Sequence, residues 1–249
     1  MSSALIDKAR SLLGAARRVA VLTGAGISAE SGIPTFRGAG GVWYDMKVED
    51  WATPEGYARA PLKVWNWYAE RRRQLDEVRP NPAHAALARL QQQVRARGGS
   101  VVIATQNIDG LHQAAGAEDV LELHGSLKRA RCGSCAYPTD MGASPVEAVP
   151  TCPECGERLR PDVVWFGEAL PQEVYVAAVE ASATCDVFLA VGTSAVVYPA
   201  AGLVEWALGN GAKAIEVNLE PTPASRLVTV ALHGKAGEIL PGIVEPTEG

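Results

Sequence analysis

The chain has 249 residues, 47% of them hydrophobic and 20% charged, with a net charge of −5 at pH 7. That length buries a substantial core as one large domain or two unequal ones, and the charge balance excludes both disorder and a nucleic-acid-coating surface. The N-terminus reads without a basic-then-apolar leader and no apolar run approaches the roughly 20 residues of a membrane helix, so a cytoplasmic protein with neither membrane nor nucleic-acid partners is expected.

In chain order, an amphipathic helix over residues 5–16 leads into a buried strand at 18–23. Apolar runs of the same kind recur at 101–105, 120–123, 187–191, 214–217 and 228–232, with helical stretches such as 171–183 and 198–208 between most of them. Apolar strands alternating with helices predict an α/β architecture, a parallel sheet covered on both faces. Two segments break the rhythm. Residues 43–79 hold four tryptophans, prolines and a polar helix but no strand, and residues 126–160 are turn-rich and too polar for sheet core. Both are expected as insertions, helical over 43–79 and metal-binding over 126–160, that form a smaller module beside a main domain of residues 1–42, 80–125 and 161–249. The cleft between the two is the expected ligand site.

Gly24-x-Gly26-x-x-Ala29 follows the first strand and makes a turn whose backbone N–H groups can approach a diphosphate. Alone the motif is weak, and it leaves a dinucleotide site and a plain tight turn equally open. No second strand ending in an acidic residue follows about 20 residues on, which argues against a plain nicotinamide dehydrogenase. Instead residues 30–38 form a loop whose Phe36 and Arg37 could close over a ligand.

Gln106, Asn107 and Asp109 leave the C-terminal end of the 101–105 strand, the edge at which open α/β sheets bind ligands. Their amide and carboxylate groups suit a carboxamide and ribose hydroxyls, and would serve equally as helix caps. His124 ends the next strand, at the mouth of the expected cleft, and imidazole titrates where a general base must. The other histidines read as structural: His84 beside a helix start at Asn81-Pro82, His112 in a polar helix, His233 after the last strand.

Cys132-x-x-Cys135 and Cys152-x-x-Cys155, with sixteen residues between the pairs, carry the most specific local signal. The spacing brings four thiolates to one tetrahedral zinc and leaves no open position, so the metal is expected to be structural. Two disulfides are the alternative, against which an odd cysteine count in a chain without a leader weighs. The fifth cysteine, Cys185, reads as a small buried residue.

Together these motifs make the chain resemble the sirtuins, NAD-dependent protein-lysine deacylases, over nearly its whole length. The resemblance rests, in order, on the residues from Gly24 to Arg37, on Thr105-Gln106-Asn107-Ile108-Asp109, Leu123-His124-Gly125, the two cysteine pairs, Gly192-Thr193-Ser194 and Val217-Asn218. It implies a Rossmann-like domain with a small helical and zinc module, NAD as cosubstrate, one structural Zn2+ and acyl-lysine proteins or peptides as substrates, with nicotinamide and O-acyl-ADP-ribose as products.

The resemblance also implies roles. Gly24, Ala25, Gly26, Ser28, Ala29, Glu30, Thr35, Phe36, Arg37 and Trp43 would surround the diphosphate and the nicotinamide end. Gln106, Asn107, Ile108 and Asp109 would meet the nicotinamide ribose and carboxamide, Gly192, Thr193 and Ser194 the diphosphate and ribose, and Asn218, Leu219, Glu220 and Ala236 the adenosine. His124 would be the general base. Val163, Val164, Trp165 and Phe166, running on to Glu168, would pair with the substrate peptide as an added strand. Tyr68 and Arg71, on one helical face, resemble the tyrosine–arginine pair of sirtuins that prefer succinyl and malonyl groups, with Ala52 leaving room for the longer chain. The other reading of Arg71-Arg72-Arg73 is a solvated basic face. A mono-ADP-ribosyltransferase or a non-catalytic NAD-sensing module would share the NAD-binding residues, although a sensing module has no need of His124.

Overall fold

The computed structural model describes residues 3–35, 47–142, 144–194 and 196–245. Helix α1 (Ser3–Ala15) leads into β1 (Arg18–Thr23), then come α2 (Val48–Trp51), α3 (Pro54–Arg59), α4 (Pro61–Leu75), α5 (Pro82–Ala96), β2 (Ser100–Thr105), α6 (Leu111–Ala114) and β3 (Val120–Glu122). Strands β4 (Gly125–Cys132), β5 (Pro138–Asp140) and β6 (Leu159–Val163) follow, and then α7 (Gln172–Thr184), β7 (Val187–Val191), α8 (Leu203–Gly209), β8 (Lys213–Asn218), β9 (Val230–His233) and α9 (Ala236–Val244). No helix among the described residues is long and apolar enough to cross a membrane.

Six strands form one parallel sheet in the order β3-β2-β1-β7-β8-β9. Side chains alternate across a strand, and here both sets are apolar. Val19 and Val21 of β1 with Leu189 of β7 join a cluster that takes in α1, α5 and α9. Ala20, Leu22, Phe188 and Ala190 point the other way, against α7 and α8. This is why the strands read as unbroken apolar runs. Leu189 in the middle of the sheet is fully buried, and its truncation to alanine costs about 2–5 kcal/mol. Helix α5 starts where its sequence says: the Asn81 side chain accepts from Ala83 N at 2.9 Å and Pro82 occupies the first turn, a position that needs no N–H.

Segment 126–160, read as too turn-rich and polar for sheet core, stays out of the six-stranded sheet, and about a third of it contributes to a second, antiparallel sheet in the order β5-β4-β6 that the sequence reading did not foresee. Its polarity reflects one solvated face. The other face packs Ala130, Cys132 and Leu159 with Cys152, Met141 and Trp65 of α4. The helix expected over 198–208 begins later, at Leu203, after a tight turn at Ala200–Gly202. The residue before a proline resists helical geometry, which keeps Tyr198 out of the helix.

Candidate functional site

Register aligns the ends of five strands. Thr23 pairs with Thr105 and with Val191, Thr105 with Glu122, and Val191 with Val217. The residues that follow these ends (Gly24, Gln106, Leu123, Gly192 and Asn218) therefore line one carboxyl edge, where such sheets take ligands. The two glycine turns touch there. Gly26 N donates to Gly192 O at 2.8 Å, and a Cβ on Gly26 would lie 2.7 Å from Gly192 Cα. Gly192 itself has φ +58°, so both positions require glycine for the turns to close.

Behind this edge lies a buried polar network. Asn107 Nδ2 donates to Gly24 O and to Ser28 Oγ, both at 3.1 Å, and Asn107 N donates to Thr105 Oγ1 at 3.1 Å. Asn107 Oδ1 is buried and finds no partner among the described residues. A buried acceptor left empty is costly, and Oδ1 is an atom that could accept from a ligand's N–H or O–H. Asp109 accepts from Ser28 Oγ at 2.8 Å and from Leu111 N at 2.9 Å. Burial pushes its carboxyl pKa up and these bonds oppose the shift. Asp109 thus ties the first turn of α6 to Ser28 in the glycine-rich segment. Ile108 O accepts from Leu127 N at 2.8 Å, tying this loop to β4.

Sequence reading set His84 and His112 aside, and the structure places both beneath the network, fully buried. Asn81 N–H donates to His84 Nδ1, so the His84 proton sits on Nε2, which faces Ser28 Oγ at 3.4 Å. His112 Nε2 lies 2.9 Å from Thr23 Oγ1. Burial pushes these histidines down to about 4 and about 3, so both are neutral at pH 7. His112 sits in a single helical turn, packed inward, and not on the polar helix its neighbours suggested. The only trace of this in the sequence is His84 at the third position of a capping box.

His124 is half-buried at the start of β4. Its Nδ1 lies 2.8 Å from Gln106 O. A carbonyl can only accept, so Nδ1 carries the proton and Nε2 presents a lone pair. Burial holds the pKa below the usual histidine value, with the Gln106 bond opposing, and at pH 7 the ring is a neutral base. Gln106 is fixed in turn by its Nε2, which donates to Thr193 Oγ1 at 2.8 Å.

Close to His124, whose carbonyl accepts from Val164 N, the residues Ala52, Val64, Tyr68, Leu127, Val163 and Trp165 pack into one buried apolar cluster. Trp165 Nε1 donates to Tyr68 Oη at 3.0 Å, and burial pushes the Tyr68 hydroxyl up to about 12, so it keeps its proton. The guanidinium of Arg71 lies 3.2 Å over the Trp67 ring, and Trp67 meets Tyr68 edge-on at 4.7 Å. Desolvation lowers Arg71 to about 10, which leaves it charged at pH 7. Of the arginine run only Arg73 is a solvated residue, paired with Glu70 at 2.6 Å. The segment after β6 is clamped: Val164 N donates to His124 O at 3.0 Å and Phe166 N to Ala52 O at 2.9 Å. Arg160 stacks 3.5 Å over Trp165 and grips both oxygens of Glu168, which accepts from Trp165 N.

The remaining site candidates are more dispersed. Glu30, an exposed residue, spends its carboxylate on Gly237 N at 2.7 Å, at the start of α9 and next to buried Ala236. Ala25 and Thr35 are half-buried, and Ala29 and Ser194 are exposed. Asn218 Nδ2 donates to Glu220 O at 2.8 Å, while Leu219 is 68% exposed. Phe36, Arg37 and Trp43 lie outside the described residues.

At the far end of β4, the four sulfurs of Cys132, Cys135, Cys152 and Cys155 lie within 4.8 Å of one another. The Cys132–Cys155 and Cys135–Cys152 separations are 3.4 and 3.6 Å. A disulfide would need about 2.05 Å, so the disulfide alternative falls. Sulfurs at about 2.3 Å from a tetrahedral Zn2+ stand roughly 3.8 Å apart, and the cluster fits that ion with all four positions taken. Strand β4 puts roughly 20 Å between these ligands and His124, which makes the metal structural.

A family model described as the Sir2 family matches residues 24–199. The chain is 50% identical over 244 residues to an NAD-dependent protein deacylase of Thermus thermophilus, covering 97% of this chain and 95% of that one. A solved Sir2 homologue in complex with NAD superposes with a TM-score of 0.88 at 42% identity, over 96% of this chain and 92% of that one. A Sir2 structure with a p53 peptide and NAD+ gives 0.80 at 31% identity, over 95% of each chain.

Proposed function

The chain belongs to the Sir2 family, and we infer from its site that this NAD-dependent protein deacylase removes acyl groups from lysine with a preference for those ending in a carboxylate, succinyl and malonyl, over acetyl. NAD, when bound, supplies an anomeric carbon activated by its nicotinamide leaving group. The chain's own residues do the rest. The glycine turns give the diphosphate a backbone surface, and Asn107 Oδ1 accepts from the nicotinamide end. His124 Nε2 takes a proton from a ribose hydroxyl, and the Nδ1–H bond to Gln106 O stabilises the imidazolium that forms. The clamped segment from Val163 to Glu168 presents backbone groups to the peptide, and the walls around Ala52 and Trp165 exclude water from the acyl chain.

The observation that carries the acyl preference is Arg71. It lies half-buried beside Tyr68 and remains charged, and the one carboxylate that acts on it, Glu70, is bonded through both oxygens to Arg73 and not to Arg71. A charge held that way favours an incoming anion. Mass spectrometry of products made from NAD and matched acetyl- and succinyl-lysine peptides tests the reading. Nicotinamide with O-succinyl-ADP-ribose, formed faster than its acetyl counterpart, is expected. ADP-ribosylated protein in its place would make the chain a transferase of ADP-ribose, and no turnover of either peptide would leave an NAD-binding module.

A further inference from the structure

Outside the cleft, α7 and α8 enclose an open groove of about 490 Å3, lined by Tyr175, Tyr198, Pro199, Glu205 and Trp206. The Tyr198 hydroxyl donates to Glu205 Oε1 at 2.7 Å, which holds the carboxylate among three aromatic side chains. Tyr198 and Trp206 are 65% and 50% exposed, apolar surface that water solvates poorly and that marks interaction sites. Among the described residues no lysine or arginine takes up Glu205.

The composition of the groove selects its occupant. An anion would meet Glu205. An uncharged apolar group would desolvate that carboxylate and leave its charge with only the Tyr198 hydroxyl to offset it, at a cost. An organic cation satisfies both parts, pairing with the carboxylate while aromatic rings attract it through their quadrupoles. Along the chain the groove follows the site closely. Gln106, whose carbonyl holds His124, donates to Thr193, and from Thr193 to Tyr198 the chain spans at most roughly 18 Å. An extended peptide covers that distance in about five residues.

We propose that this groove is a subsite for an arginine or lysine side chain of the substrate, a few residues from the acyl-lysine. The proposal rests on the deacylase reading for its substrate. The test uses fluorescein-labelled acyl-lysine peptides carrying arginine, or its uncharged isostere citrulline, at each position from four before to four after the acyl-lysine. Binding is read by fluorescence polarisation and turnover by kcat/KM. At one position arginine is expected to bind roughly three- to tenfold tighter than citrulline. In Glu205→Gln and Trp206→Ala the preference should disappear while the citrulline peptide binds as before. Both side chains are exposed, and the thermal transition checks that each variant is folded. No position with a preference above about twofold, or a preference that survives both substitutions, overturns the subsite. Arginine-selective binding without turnover would sink deacylation and keep the groove, turnover without selectivity would do the reverse, and neither binding nor turnover would sink both.

Discussion

The two sheets hold together by different means. The six-stranded sheet buries apolar side chains on both faces, and its clusters contain no metal ligand. In the three-stranded sheet the ligands are themselves part of the core: Cys132 and Cys152 are buried with Ala130, Leu159 and Trp65. One structure is held by hydrocarbon removed from water, the other by coordination. His124 stands where the two meet, immediately before β4, whose last residue is one of the four clustered cysteines. The metal thus fixes one wall of the site without reaching it.

Chelation separates the two regions most sharply. Structural zinc contributes apparent binding energy on the order of 10 kcal/mol, so Cys132→Ser or a strong chelator should abolish deacylation. Calorimetry should then show an early transition for the small sheet ahead of a preserved one for the large sheet. A single transition at the original temperature would mean that apolar area alone holds both. Next in size is His124→Ala, which should cost ~10² to 10⁴-fold in kcat/KM with zinc content and thermal transition unchanged. In the unaltered enzyme the lowered His124 pKa should keep kcat/KM level through the usual histidine range and let it fall only on the acid side of that range.

Acid should attack the other region. An unfolded histidine titrates near 6.5, whereas native His84 and His112 are held at about 4 and about 3. Below pH 6.5 the unfolded chain binds protons that the native one does not. Stability is therefore complete above that pH and declines toward pH 4, by on the order of 2 kcal/mol per histidine at pH 5. Urea unfolding at pH 7.5 and pH 5 reads the loss, and His84→Asn combined with His112→Gln should flatten it. The smallest effect concerns selectivity. Arg71→Met should lower kcat/KM on succinyl peptides about tenfold and spare acetyl peptides, and an equal fall on both would return Arg71 to a purely structural role.

The same contrast explains what the sequence made legible. Strands such as 187–191 are buried on both faces, so burial and apolarity coincide and the run is visible. Strand β4 mixes Lys128, Arg129 and Arg131 with Leu127 and Ala130 because one face is wet, and short partners broken by cysteine knuckles give no period to follow. Ligating cysteines are legible through spacing alone, since coordination is local. The histidines under Ser28 were not, because each acts through residues distant in the chain: Ser28 Oγ and His84 Nε2 meet across 56 positions, and Thr23 Oγ1 and His112 Nε2 across 89.

The Glu30 carboxylate reaches the backbone of Gly237 across 207 positions. Helix α9 beyond it packs on α1 and α5 in the core. A growing polypeptide emerges in the opposite order, with the glycine turn and its glutamate out long before their partner exists. Until Gly237 is made, the first turn of the site has no anchor on that side. The contact between the glycine turn and α9 therefore joins the beginning of the chain to its end, and it forms only once nearly the whole polypeptide has been made.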